Sequence, residues 1–302
     1  METNILLENG TNELEVLEFT VGNNFYGINV AKVREIIPYQ KVTPVPNSHP
    51  AIEGIFMPRD KIITAIDLAK TLNINLAGDP QTDMMIITNF NKLDIGFHVQ
   101  SVVGIHRVSW ADIIKPDVTL SKEETSIATG IIKKDSKLII ILDFEKIVTD
   151  ISPETGLKVS DLDALGNRRR CDKPILIAED SPLLSTLIMD SLKKAGYTNL
   201  IHTSNGQEAW DKLQTFKEKG DVHEHVTCII TDIEMPVMDG HRLTKLVKTD
   251  DVLQDIPLVI FSSIVNDEMR VKGEQLGADY QLSKPEIGQL VGVIDELLEK
   301  EK

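Results

Sequence analysis

Asp232 ends the apolar run "VTCIITD" and is followed by Glu234, Pro236 and an Asp239-Gly240 turn. A buried strand would stop at Asp232, and a proline two residues past Glu234 keeps regular structure from continuing. Alone, that is a strand-to-loop signal, and a capping or turn aspartate is its plain meaning. Other side chains stand at matching places: Glu179 and Asp180 follow "PILIA", Ser262 closes "IPLVIFS", and Lys284 follows "ADYQLS". In an open α/β sheet, ligands sit beyond the carboxyl ends of the strands. Three carboxylates, a hydroxyl and an ammonium would therefore meet in one crevice. At about 4 Å and an effective dielectric of about 20, each pair of ionised carboxylates costs about 4 kcal/mol. A raised pKa, the Lys284 ammonium or a bound cation must offset that. Hard oxygen ligands with open positions suit Mg2+. Magnesium beside a carboxylate can template in-line phosphoryl transfer onto it. Asp232 is then placed as a nucleophile, and the turn after it exposes the Glu234 backbone carbonyl to the metal.

The elements needed to hold such a crevice can be read from Pro174 onward. Strand-like runs "PILIAED", "TNLIHTS", "VTCIITD", "IPLVIFSS" and "ADYQLSKP" alternate with helical stretches, and "EIGQLVGVIDELLEKEK" reads as a final helix. Five alternations predict a parallel sheet with helices on both faces. From about residue 14 to 148 the period differs. "LEVLEFTVG", "FYGINV", "KIITAIDLA", "DMMIITNF", "KLDIGFHVQSVVGIHRV", "SIATGIIKKDS" and "KLIIILDF" are rich in Ile, Val, Thr and Phe. Turn signals at Gly22 to Asn24, Gly78 to Pro80, Asn89 to Asn91 and Lys134 to Ser136 separate them, which predicts barrels or a sandwich with a few short helices. The polar, punctuated stretch between the halves reads as a linker, with Arg168, Arg169 and Arg170 as a solvated run.

A chain of 302 residues accommodates two domains, and 41% hydrophobic with 26% charged residues is ordinary globular composition. No apolar stretch approaches the roughly 20 residues of a membrane span. The acidic start lacks the basic region of a signal peptide, so a cytoplasmic protein is expected. Cys171 and Cys228 form no metal-type pattern. A net charge of −15 argues against a nucleic-acid surface. The acidity leans to residues 172–302, which carry 14 Lys and Arg against 24 Asp and Glu.

Residues 173–302 resemble a response-regulator receiver domain through "ILIAEDS", "IITDIEMPVMDG", "VIFSS" and "LSKPE", in order on a five-unit βα chain. The resemblance implies a flavodoxin-like (βα)5 fold in which Asp232 accepts a phosphoryl group from a histidine kinase. Glu179, Asp180, Asp232 and the Glu234 carbonyl would bind Mg2+, while Ser262 and Lys284 would contact phosphoryl oxygens. Three positions before Lys284, where many receivers carry an aromatic switch residue, this chain has Gln281, beside Tyr280. A haloacid-dehalogenase-type phosphatase also uses a strand-end aspartate, but its second aspartate two residues later is Glu234 here.

The first half shows no catalytic constellation, and His49, His98 and His106 read as structural. Over residues 12–150 the order of "LEFTVGNNFYGINVAKVREII", "VTPVPNSHPAIEGIFMPRDKIITAIDLAKTL", "IGFHVQSVVGIHRV" and "GIIKKDSKLIIILDFEKI" resembles the CheW family of chemotaxis coupling proteins. That implies an all-β double barrel. Arg59 then stands either as a solvated hairpin-tip residue or as a contact to a chemoreceptor, with Val33 and Glu35 on the same face. Trp110 reads as core or hinge packing. A coupling domain at 12–150, a linker at 151–172 and a receiver at 173–302 are together similar to the CheV type of chemotaxis protein. The resemblance implies a non-enzymatic scaffold between chemoreceptors and the CheA kinase, recruited to receptor arrays and meeting the membrane only through receptors. A phosphate sink that drains the kinase is the alternative, and a DNA-binding regulator is disfavoured.

Overall fold

Strand β1 (Glu13–Val21) buries Leu14, Val16, Leu17, Phe19 and Val21, then turns at Gly22-Asn23 into β2 (Asn24–Asn29). The two pair antiparallel, with Phe19 opposite Tyr26. The structure, a computed structural model, describes residues 12–76, 80–90, 93–116, 127–134, 136–153, 170–264, 267–284 and 286–300. Of the expected features, Gly78, Asp79, Asn91, Asp135 and residues 154–169 of the linker, with Arg168 and Arg169, lie outside the described residues. The chain forms two compact units, one built on Leu14–Val108 and Asp112–Gly156 and the other on the C-terminal part from Leu157.

In the first unit there follow β3 (Val33–Pro38), β4 (Ile52–Phe56), β5 (Ile63–Asp67), α1 (Leu68–Thr71), β6 (Met84–Phe90), β7 (Leu93–Val99), β8 (Ser101–Ser109), β9 (Ala128–Lys134), β10 (Lys137–Leu142) and α2 (Phe144–Ile151). The expected run "KLDIGFHVQSVVGIHRV" is therefore two strands, broken at Gln100. The strands make two five-stranded sheets, ordered β8-β1-β2-β10-β9 and β3-β6-β7-β5-β4. Each closes on itself. Past β8, Ile114 pairs with Ile131 of β9, and past β3, Thr43 pairs with Ile55 of β4. Closure removes the edges that would otherwise leave unpaired backbone groups. One cluster joins the barrels: Phe19 and Ile28 of the first sheet, Ile66, Ile86 and Phe97 of the second, and Phe144 and Ile147 of α2. Phe144 meets the ring of Phe97 edge-on at 4.5 Å, and full burial of such a side chain is worth about 1.5–3 kcal/mol.

The second unit alternates β11 (Ile175–Ala178), α3 (Pro182–Lys194), β12 (Leu200–Thr203), α4 (Gly206–Lys219), the single turn α5 (Val222–His225), β13 (Cys228–Thr231), α6 (Gly240–Lys248), β14 (Leu258–Ser262), α7 (Asp267–Gln275), β15 (Tyr280–Ser283) and α8 (Ile287–Lys300). The sheet is parallel, in the order β12-β11-β13-β14-β15. Every residue of β11, β13 and β14 is buried, as expected of strands covered on both faces. One face packs against α3 and α8 through Ile188, Leu192, Leu290 and Ile294, and the other against α4 and α6 through Ala209, Leu213, Leu243 and Val247. The double β-barrel followed by a doubly wound (βα)5 sheet is thus the architecture found. Among the described residues, no helix is long and apolar enough to cross a membrane.

Two histidines join strands within the barrels. Lys134 can only donate, so its Nζ donates to His106 Nδ1 at 2.6 Å and the ring donates through Nε2 to the buried Glu18. This contact links β8 and β9, the two ends of the first sheet's strand order. In the second barrel, His98 places Nδ1 3.0 Å from Glu53 Oε2 and Nε2 3.0 Å from Asp83 Oδ2, and Tyr39 donates to Glu53 Oε1 at 2.6 Å. Burial pulls His98 down, but the bonds and charges of Glu53 and Asp83 outweigh it and hold the imidazole above its ordinary value. A histidine raised on folding contributes stability that is fully present below its unfolded pKa of about 6.5 and is lost as pH rises through the folded value. Amide exchange in β4 and β6 should accordingly be several-fold faster in His98→Asn than in wild type at pH 6. That gap should close as pH rises; a gap independent of pH would remove the charged imidazole from the account.

Candidate functional site

Five polar side chains converge because the strands that precede them are in register. Ala178 of β11 lies opposite Thr231 of β13, and the Asp232 amide donates to the Ala178 carbonyl at 2.9 Å. That brings Asp232 beside Glu179 and Asp180. Ser262 pairs with Ser283, and the Lys284 amide donates to the Ser262 carbonyl at 3.1 Å. Lys284 Nζ then reaches 2.7 Å from Asp232 Oδ2 and 3.0 Å from Glu179 Oε2. The remaining oxygens are also held. Asp232 Oδ1 accepts from the Ile233 amide at 2.7 Å, and Glu179 Oε1 accepts from the Ser181 amide at 3.2 Å.

Glu179, Asp232, Ser262 and Lys284 are buried, whereas Asp180 and Glu234 are half-buried at the rim. One ammonium cannot neutralise two buried carboxylates. The surplus falls on Glu179: burial pushes its carboxyl up, to about 8, against the pull of Lys284 and with added repulsion from Asp232 and Asp180. One carboxylate oxygen from each of Glu179, Asp180 and Asp232 lies within 4.8 Å of the others. Three anionic oxygens at that spacing, with one carboxylate reaching solvent, fit a small hard dication. Ser262 Oγ accepts from the Ile264 amide at a long 3.4 Å.

The turn after Asp232 is shaped by contacts that the motif alone does not display. Val237 takes a left-handed φ of 67°, the Met238 amide donates to the Pro236 carbonyl at 2.8 Å, and the Gly240 amide donates to the Ile233 carbonyl at 2.9 Å. The chain thereby folds back so tightly that a Cβ on Gly240 would lie 1.8 Å from the Asp232 carbonyl oxygen. Asp239 caps α6 by accepting from the Arg242 amide at 2.6 Å. His202 of β12 donates through Nε2 to the Glu179 carbonyl at 2.9 Å, supporting the acidic pair from the neighbouring strand. Nothing in the spacing of the sequence singles out His202. Gly240 was visible only as half of an Asp-Gly turn.

In the coupling unit, Arg59 is 82% exposed at the β4–β5 hairpin and bonds Glu35 Oε2 on β3 at 2.8 Å. Val33 does not share that face. The register slips between Val33 and Glu35, which stand opposite Thr88 and Ile87, adjacent residues that point to opposite sides of β6. Val33 packs on the shared core cluster instead. The site expected at Arg59, Glu35 and Val33 is thus brought together only in its first two members.

The chain matches the CheW-like domain family over residues 15–152 and the response regulator receiver domain family over residues 175–295. It is 30% identical to chemotaxis protein CheV3 of Helicobacter pylori over 95% of this chain and 96% of that protein. To chemotaxis protein CheV2 of the same organism it is 30% identical over 84% of this chain and 83% of that one. Chemotaxis protein CheW of Thermotoga maritima is 30% identical over 50% of this chain and 98% of its own length.

The approach of Gly240 to main chain sets a further expectation. A methyl group there meets a backbone carbonyl that cannot swing away, so Gly240→Ala should destabilise the second unit by about 1–3 kcal/mol or more. Denaturant unfolding followed at Trp210 on α4 measures this, and an unchanged midpoint would contradict the close approach.

Proposed function

The chain belongs to the CheV family of chemotaxis coupling proteins, a CheW-like domain joined to a receiver domain, and we propose that phosphorylation of Asp232 regulates its coupling. The observation that carries this reading is Lys284 bridging Asp232 and Glu179 beside Asp180 in a buried crevice. We place the coupling domain at 12–150, the linker at 151–172 and the receiver at 173–302.

The phosphoryl donor is a CheA-type histidine kinase. Glu179, Asp180, Asp232 and the Glu234 carbonyl would hold Mg2+, which would supply positive charge to offset that of the acceptor and the incoming phosphoryl group. The chain's own groups do the rest. Both Asp232 oxygens are held, Oδ1 by the Ile233 amide and Oδ2 by Lys284, so the carboxylate is fixed in orientation to attack phosphorus as the N–P bond of the kinase's phosphohistidine breaks. Lys284 would follow the charge from Oδ2 onto the phosphoryl group, while Ser262 would donate a hydrogen bond to a phosphoryl oxygen. The receiver accepts and later releases this group without turning over an external substrate. The first unit docks on chemoreceptors and on the kinase, with Arg59 and Glu35 on the receptor-facing surface. The protein works in the cytoplasm, at receptor arrays on the inner face of the membrane.

Incubation with phosphorylated kinase and Mg2+ should give one acid-stable, base-labile acyl phosphate per chain. Asp232→Asn should abolish it, since an amide is not a competent nucleophile, and Asp180→Ala should weaken Mg2+ binding and slow transfer at least tenfold. Stoichiometric label on the Asn variant sinks the assignment. Arg59→Glu, a surface charge reversal, should reduce recruitment to receptor arrays without lowering the melting temperature. Wild-type recruitment by the folded variant would return Arg59 to a solvated hairpin tip.

A further inference from the structure

Gly273 lies inside α7, where glycine makes helix formation about fivefold less favourable than alanine. The space its side chain would fill is taken. A Cβ at Gly273 would fall 2.3 Å from Gln281 Oε1 and 2.5 Å from Gln281 Cδ. Gln281, opposite Ile260 in the sheet, lays its amide across the helix, and its Nε2 donates to the Arg270 carbonyl at 2.7 Å. That carbonyl belongs to the helix backbone, so the bond clasps the helix itself rather than a mobile side chain.

Much of this helix is exposed. Among the described side chains Met269–Gln275, only Gly273 is buried, and Val271 is 52% exposed. By contrast, α8 buries Ile287, Leu290, Val291 and Ile294 completely. The clasp also has a particular place in the chain. Helix α7 is the next element after β14, which ends at Ser262, and β15 leads directly into Lys284. The Lys284 amide to Ser262 carbonyl bond joins the same two segments at the site.

We propose that Gln281 is a positioning residue: its amide latches α7 onto β15, so that the helix moves as one unit with the paired strands β14 and β15 that carry Ser262 and lead into Lys284. Gly273 is the complementary half of the latch, because any larger residue would expel the amide. Only the use of this unit at Asp232 rests on the function proposed above; the latch does not.

Amide exchange of the full-length protein, without phosphorylation, tests it through a reversal of sign. With Gln281 present, Gly273→Ala should drive the flexible amide off the helix and speed exchange in α7 at least threefold, although alanine is the better helix former. In a Gln281→Ala background the three atoms nearest that methyl are gone, and the same substitution should slow α7 exchange about fivefold. Gln281→Met, which keeps the length and lacks the donor, should speed exchange in α7 and at the Lys284 amide together. Protection in β13 should be unchanged throughout, showing that each variant is folded. Gly273→Ala slowing α7 exchange in both backgrounds would overturn the latch. In Gln281→Met, faster α7 exchange with an unchanged Lys284 amide would overturn the single unit.

Discussion

Lys284 bonds two carboxylates that follow two other strands, and its side chain is only about 6% exposed. Its ammonium touches Asp232 after β13 and Glu179 after β11, while its own backbone bonds Ser262 after β14. Four strand ends therefore meet at a single residue. In so buried a place the contact cannot be dispensable: leaving a buried charge without its partner costs about 3–5 kcal/mol. Nor is it comfortable, since the second carboxylate remains uncompensated and Glu179 is pushed up toward the neutral form. A site with more negative charge than its lysine can neutralise is poised for another cation and has room for changing charge at Asp232. The parallel sheet, the tight turn at Gly240 and the support from His202 all hold this imbalance in place.

The first unit uses ionisable groups for a different purpose. Its sheets close where the residues after one edge pair with the other edge, and side chains reinforce each seam: Lys134 to His106 in one barrel, Tyr39 to Glu53 and Arg59 to Glu35 in the other. Glu18 is buried beneath the first seam, with His106 on one oxygen and Lys137 Nζ no nearer than 3.8 Å to the other. Here polar groups set which strands meet, and the shared core around Phe144 supplies the hydrophobic stabilisation.

How much of this was legible depends on the range of the determining contact. The strand-end acids, Ser262 and Lys284 could be located because a fully buried parallel strand reads as an apolar run, and its carboxyl end is where polar residues resume. The strands β3 and β4 did not stand out by pattern. No residue of β3 is fully buried, and β4 carries Gly54 next to a register shift, so neither shows a clean alternation. The slip between Val33 and Glu35 was equally hidden, since one inserted residue reverses a face without changing composition. Gly240 and Gln281 show the same limit from the other side. Each matters through something it approaches across space: the Asp232 carbonyl in one case, the backbone of α7 in the other.

The two conspicuous basic residues of the chain, Lys284 and Arg59, show how burial divides structural from surface roles. Both make ion pairs of about equal length, 2.7 Å and 2.8 Å to their nearest carboxylates. Distance alone would rank them together. Arg59, with water around most of its side chain, belongs to the class of exposed pairs worth about 0–1 kcal/mol, and salt screens it further. Lys284 belongs to the buried class, where removal of one partner is several times as costly. The fold can therefore tolerate change at Arg59 while depending on Lys284. An arginine held in left-handed backbone, with a φ of 51°, next to Asp60 at 67°, is displayed at a cost that its ion pair to Glu35 barely offsets. Such a display accords with the receptor-facing role proposed for Arg59.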